Sequence, residues 1–200
     1  MPPSLQYENS YEGTIAGVDE AGRGPWAGPV TAAAVILNPA HIPVGLDDSK
    51  KLTAAKRDIL FDAIMQHCDV AIGMASVEEI DALNILGATK LAMQRAVAGL
   101  SQQPDIALID GNQPPKLNCK AVAIVSGDAK SLSIAAASII AKVTRDRMMG
   151  ELAQAFPQYG WEKNAGYGTK KHQDGIALHG ITDHHRRSFK PIKSWLENAA

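Results

Sequence analysis

Four acidic residues stand beside apolar runs in this chain. Asp19 and Glu20 follow residues 15–18, Asp110 follows residues 106–109, and Asp128 comes just after residues 121–125. An acid placed next to a buried strand is costly unless a proton or a cation neutralises it. Two adjacent acids repel each other and raise that cost. Carboxylate oxygens are hard ligands that suit Mg²⁺ or Mn²⁺. Four of them gathered at one place are the chemistry of two-metal phosphodiester cleavage, in which one ion activates water and the other stabilises the leaving oxygen.

Each acid also has a plainer explanation. Asp110 precedes Gly111, and an Asp before a Gly commonly forms a turn. Asp128 lies just before a helix whose positive end favours any anion. Glu79, with Ser76 three residues earlier, reads as a capping box, and Asp146 reads as the i,i+4 partner of Lys142. A turn explains the glycines after Glu20 but not the two acids before them.

Those glycines, Gly22 and Gly24, admit a rival. Residues 22–27, GRGPWA, fit the dinucleotide fingerprint G-x-G-x-x-G/A after a strand. That fingerprint requires a helix to open at the glycines. Pro25, Gly28 and Pro29 interrupt instead, and residues 30–37 read as a second strand. The acids would also occupy the place of the pyrophosphate.

The elements that must position these residues follow from pattern. Residues 14–18 and 30–37 read as strands, paired antiparallel. Period-two alternation forbids Asp19 and Glu20 from sharing one face of a regular strand, so the pleat is expected to end at Glu20. Thr53 caps a helix to residue 66, residues 69–77 form a third strand, and a second helix covers 84–100. The apolar run 106–109 reads as a strand buried on both faces, and 121–125 as another. Ser131 caps a helix over 132–156 whose small residues permit close packing. Thr169 caps a short helix to residue 178. Residues 1–13 read as a flexible lead-in, disordered or loosely docked, and 14–200 as a single catalytic domain with a basic substrate-binding region at about 160–193.

Composition narrows the class. Hydrophobic residues make up 46% and charged residues 20%, as in a globular protein with a real core. Net charge is −1, yet residues 163–193 carry seven Lys or Arg against two Asp, which favours an anionic partner there. No signal peptide and no apolar run near the ~20 residues of a membrane span is visible. A cytoplasmic monomer without membrane contact is expected. Cys68 and Cys119 read as buried free thiols. Adjacent His184 and His185 point apart and H-E-x-x-H is absent, which disfavours zinc.

The stretches GVDEAGRGPWAGPV, DDSKKL, NILGATKLAMQRA, LIDGN, GDAKS, AAASIIAKVTRDRMM, GYGTKKH and HRRSF occur in this order along almost the whole chain. In that combination the sequence closely resembles the type 2 ribonucleases H of bacteria. The resemblance implies an α/β ribonuclease H-like fold, a five-stranded mixed sheet flanked by helices. It implies cleavage of RNA in RNA–DNA hybrids and incision 5′ to single ribonucleotides in duplex DNA, leaving 3′-hydroxyl and 5′-phosphate ends. Asp19, Glu20, Asp110 and Asp128 then match the metal-binding carboxylates, for Mg²⁺ or Mn²⁺. Gly22, Arg23 and Gly24 match the loop that senses the ribose 2′-hydroxyl, and Tyr167 the ring packed against that sugar. Lys50, Lys51, Lys170, Arg186 and Arg187 are candidate phosphate contacts. His184 stands where a proline is more usual. The competing classes are another metal-dependent nuclease of the same fold, and a non-catalytic nucleic-acid-binding module.

Overall fold

The computed structural model describes residues 2–199. Five strands form one mixed sheet: β1 Ile15–Ala21, β2 Val30–Ile36, β3 Asp69–Ala75, β4 Ile106–Asp110 and β5 Lys120–Ile124, in the order β3-β2-β1-β4-β5. β1 pairs antiparallel with β2, as its sequence suggests, and parallel with β4. Val18 stands opposite Ile109. The next residues on the two strands are Asp19 and Asp110, so parallel pairing alone carries both acids to one sheet edge. β5 continues parallel to β4 and delivers residue 128 to the same edge.

Among the described residues six α-helices follow or flank the strands: α1 Ala54–His67, α2 Val77–Ala98, α3 Leu132–Ala155, α4 Trp161–Asn164, α5 Lys170–His179 and α6 Lys190–Ala199. Ala16, Val18, Ala32 and Ala34 on one sheet face pack with Ile80, Ala92 and Met93 of α2. Ala33 and Val35 on the other face pack with Ile64 of α1 and Ile139 and Ile140 of α3. The alanines of β2 and α3 let helix and sheet approach closely. At Gly17 the approach is extreme, since an added Cβ would stand 2.1 Å from the carbonyl carbon of Ser133. A third cluster, with Met149, Tyr159, Trp161, Ile176 and Ile192, ties the C-terminal helices to the end of α3.

The expected caps are present at three helices. Thr53 accepts from the Lys56 N–H, Ser131 from the Ile134 N–H, and Ser76 with Glu79 makes both bonds of the capping box. One boundary and one cap differ from expectation. α2 begins at Val77, and Asn84, read as its start, is a kink with φ 59° whose Oδ1 caps Leu86 and Gly87. Thr169 has the backbone of an N-cap, but its hydroxyl accepts from Asn164 Nδ2 instead. Both cysteines are free, and both are half-buried rather than buried.

The segment read as a flexible lead-in is docked. Ser4 N–H donates to Lys130 O at 3.0 Å. One oxygen of Glu8 accepts from the Ser131 hydroxyl at 2.6 Å, the Ser133 N–H at 2.9 Å and the Ser133 hydroxyl at 2.7 Å. The carboxylate sits at the first turn of α3, where the helix dipole favours it. No described helix is long and apolar enough to cross a membrane.

The glycine contacts predict opposite outcomes for two identical substitutions. Gly17→Ala forces α3 away from β1 and should cost about 1–3 kcal/mol, the usual range for overpacking. Gly150→Ala, inside α3 with nothing within 4 Å of the new Cβ, should gain about 0.5–1 kcal/mol from helix propensity. Thermal melts of the two variants should shift Tm in opposite directions.

Candidate active site

β1 does not end at Glu20. It runs through both acids to Ala21, with Asp19 opposite Ala33 and Glu20 opposite Ala32, and the bend comes at Gly22 with φ +96°. Asp19 is 4% exposed and its Oδ1 accepts the Glu20 N–H at 2.7 Å. Asp110 Oδ1 accepts the Gly127 N–H at 2.6 Å, which fastens the end of β4 to the 3-10 turn Gly127–Ala129 carrying Asp128. Ser126, in the left-handed region at φ 54°, makes that turn possible.

The four acids share one electrostatic field. Burial pushes the Asp19 carboxyl well above its usual range, and the charges of Glu20, Asp110 and Asp128 push it further. Burial and Asp110 raise Asp128. Burial also raises Glu20, against the pull of Arg23, which pairs with it at 3.2 Å. Lys50 Nζ lies 3.8 Å from Asp128 Oδ2. Partial burial works against its charge, but Asp128 and Asp19 outweigh that and raise its pKa. Ser49 anchors this loop by accepting from Ser138 of α3 at 2.8 Å.

Among the described residues no group of three His, Cys, Asp or Glu side chains is already arranged to hold a metal ion. The donor set nonetheless fits Mg²⁺ or Mn²⁺. It is all oxygen, it is electrostatically frustrated without a cation, and Mg²⁺ commonly takes only one or two carboxylates with waters and substrate phosphates.

Beside the acids lies a pocket of about 320 Å³ lined by Glu20, Gly22, Arg23, Lys50, Lys142 and Tyr167, among others. A Cβ on Gly22 would stand 2.0 Å from Arg145 Nε, and one on Gly24 would stand 3.2 Å from Tyr167 Cε1. Tyr167, 51% exposed, therefore lays its ring against bare backbone.

The Ribonuclease HII family model matches residues 16–192. The chain belongs to the ribonuclease HII family. The ribonuclease HII of Jannaschia sp. (strain CCS1) is 59% identical over 193 residues, covering 96% of this chain and 97% of that protein. The crystal structure of ribonuclease H2 from Pyrococcus horikoshii OT3 superposes with a TM-score of 0.78 at 28% identity, covering 92% of this chain and 98% of the other. Bst ribonuclease HIII, solved in complex with Mn²⁺, shares the fold with a TM-score of 0.78 at 20% identity, over 100% of this chain and 74% of its own. The protein is thus a ribonuclease H, a family of divalent-metal-dependent hydrolases, with the expected α/β fold.

The basic residues of this ribonuclease H divide. Lys50 reaches the acids, whereas Lys51 pairs with Asp47 at 3.0 Å and Lys170 with Asp174. Arg187 pairs with Asp183 at 3.3 Å. Arg186 corrects its sequence reading as a phosphate contact. It is 0% exposed and donates to the carbonyls of Gly22, Arg23, Gly28 and Pro29 at 2.6–3.1 Å. Arg145, not singled out from sequence, is buried beside it and donates to Ala27 O, Pro29 O and Ala165 O. Burial lowers Arg145 to about 10, and burial with the neighbouring Arg145 lowers Arg186 to about 9. The signal for Arg145 was its position. With Ser138, Lys142 and Met149 it falls on the i, i+3, i+4 stripe of α3 that faces the protein.

The raised Asp19 pKa has a sign that can be checked. The folded protein binds this proton more tightly than the unfolded chain, whose carboxyl titrates near 3.8. Stability without metal therefore falls as pH rises through the folded pKa. Asp19→Asn keeps the acceptor and removes the charge. At pH 7 without metal it should melt at a higher temperature than the parent, and the gap should close toward pH 4. Added Mg²⁺ should raise the parent's Tm and leave the variant's nearly unmoved.

Proposed function

We propose that this ribonuclease H cuts the RNA strand of RNA–DNA hybrids and incises 5′ to a single ribonucleotide embedded in duplex DNA, leaving 3′-hydroxyl and 5′-phosphate ends. The observation that carries the reading is the Tyr167 ring lying over Gly24 at the mouth of the acid cluster. A ribose can pack against the pocket wall that this exposed ring and the side-chain-free backbone make together. The 2′-hydroxyl is both donor and acceptor, and it alone separates RNA from DNA at one nucleotide.

Asp19, Glu20, Asp110 and Asp128 would hold the divalent ions, Mg²⁺ or Mn²⁺, two in number for four acids. When bound, such ions supply an activated water and stabilise the leaving oxygen. The chain's own residues do the rest. Gly22–Gly24 offer backbone groups to the 2′-hydroxyl, Tyr167 packs the sugar, and Lys50 faces the incoming phosphate beside Asp128. Arg23, half-exposed and paired with Glu20, stands ready to exchange that carboxylate for a phosphate. A pure binding module is disfavoured, because four acids at the groove would repel the backbone it had to hold. The glycine loop under Tyr167 sets this site apart from a general nuclease of the same fold.

The test uses end-labelled duplexes identical except for one 2′-hydroxyl, at fixed salt and Mg²⁺. The single-ribonucleotide duplex should be cut and the all-DNA duplex rejected by ~10⁴-fold or more. Asp110→Asn, which can still accept from Gly127, should fold and lose cleavage, and chelation should abolish it in the parent. Tyr167→Ala should harm single-ribonucleotide cleavage more than Tyr167→Phe does. Equal cutting of both duplexes would refute the sugar-sensing reading, and full activity after chelation would refute the metal-dependent one.

A further inference from the structure

Three separate stretches meet behind Tyr167, and the knot that joins them is made by two consecutive residues. His172 and His185 are both fully buried, with their Nε2 atoms 3.1 Å apart. Trp161 Nε1–H donates to His172 Nε2 at 3.2 Å, so that nitrogen is an acceptor. The His172 proton therefore sits on Nδ1, which donates to the Tyr167 carbonyl at 3.0 Å. His185 Nε2 must then be the donor toward His172, while its Nδ1 accepts the Thr182 N–H at 2.9 Å. Every ring nitrogen of the pair has one role, and the chain of bonds ends on the backbone of Tyr167.

The next residue, Arg186, holds the opposite wall. Its guanidinium gathers the carbonyls of Gly22, Arg23, Gly28 and Pro29, and its N–H donates to Trp26 O at 2.8 Å. Trp26 N–H in turn donates to Gly166 O at 2.8 Å, which joins the two walls directly. We propose that His185 and Arg186 form one positioning clamp that fixes Tyr167 over Gly24 and thereby sets the enzyme's preference for a sugar bearing a 2′-hydroxyl. The proposal rests on the sugar-sensing reading above. Neither residue touches substrate. Each acts through a backbone carbonyl of the element that does, and a displacement of ~1 Å in such an element can cost ~10²-fold in rate.

Three conservative variants separate the clamp from general stability. His185→Gln places an amide N–H near the lost Nε2 and can still donate to His172. His185→Asn reaches only the Nδ1 position, keeping the Thr182 bond and losing the one to His172. Arg186→Lys keeps the charge but cannot span four carbonyls. The quantity measured is kcat/KM on the single-ribonucleotide duplex divided by that on the all-DNA duplex. His185→Asn and Arg186→Lys should lower this ratio by about tenfold or more, and His185→Gln by much less. In a Tyr167→Ala background His185→Asn should lower it little further, because residues that act through one another are not additive. Hydrogen exchange read without substrate should show faster exchange at residues 166–168 in His185→Asn and at 22–24 in Arg186→Lys. A purely structural role would lower both rates together and leave the ratio unmoved. Unchanged ratios in His185→Asn, or a full additional loss in the Tyr167→Ala background, would overturn the clamp. A parent enzyme that does not discriminate would instead overturn the sugar-sensing reading, and the exchange data would still decide whether the clamp holds the two loops.

Discussion

The repulsion among buried carboxylates is the constraint around which this molecule is arranged. Asp19 is nearly out of solvent and surrounded by three more acids. Such a cluster destabilises the protein unless a cation arrives, so everything near it must be rigid enough to keep the acids together meanwhile. Parallel pairing of β1 with β4 sets Asp19 beside Asp110, and the Asp110–Gly127 bond holds the third position. The close seat of α3 on Gly17 keeps the first turn of that helix against the strand that carries the acids. The acid cluster is thus assembled and electrostatically frustrated without a cation, which leaves free energy for a bound cation to release.

The same logic explains why the supporting arginines are paired with carbonyls rather than acids. Arg145 and Arg186 donate to no carboxylate among the described residues, yet both are buried. A carboxylate placed beneath the Gly22–Gly24 loop would satisfy them, but it would add a fifth negative charge beside the four already in conflict. Carbonyl dipoles satisfy guanidinium forks without net charge. The cost appears as lowered basicity in both, and as a local positive potential behind the Gly22–Gly24 loop.

Much of this was legible in the sequence, and the misses have common causes. Apolar runs followed by acids placed β1, β4 and β5 and the acids at or just beyond their ends, because strand burial and polar strand ends both leave local patterns. Caps at Thr53, Ser76 and Ser131 were readable because a cap involves neighbours only three residues apart. Arg186 was misread because exposed and buried arginines look the same in a sequence, and its acceptors are carbonyls more than 150 residues away. The His172–His185 contact was hidden for a related reason. His184 and His185 both bring their rings to Trp161, at 6.2 and 5.4 Å between centroids, and His185 also meets a histidine on another element. Glu20 lies inside regular pairing because the bend that the glycines allow comes after it, not at it.

The docked N-terminal segment has a consequence for how the chain is made. Glu8 is bound by Ser131 and Ser133, partners 123 and 125 residues downstream. A ribosome producing ~5–20 residues per second needs roughly 6–25 s to deliver them. Until then the segment around Glu8 has no place to go, and the first turn of α3 lacks the carboxylate that completes it. That segment is therefore among the last parts to settle. Its arrival marks the moment when the helix lining the acid cluster is fastened at its N-terminal end.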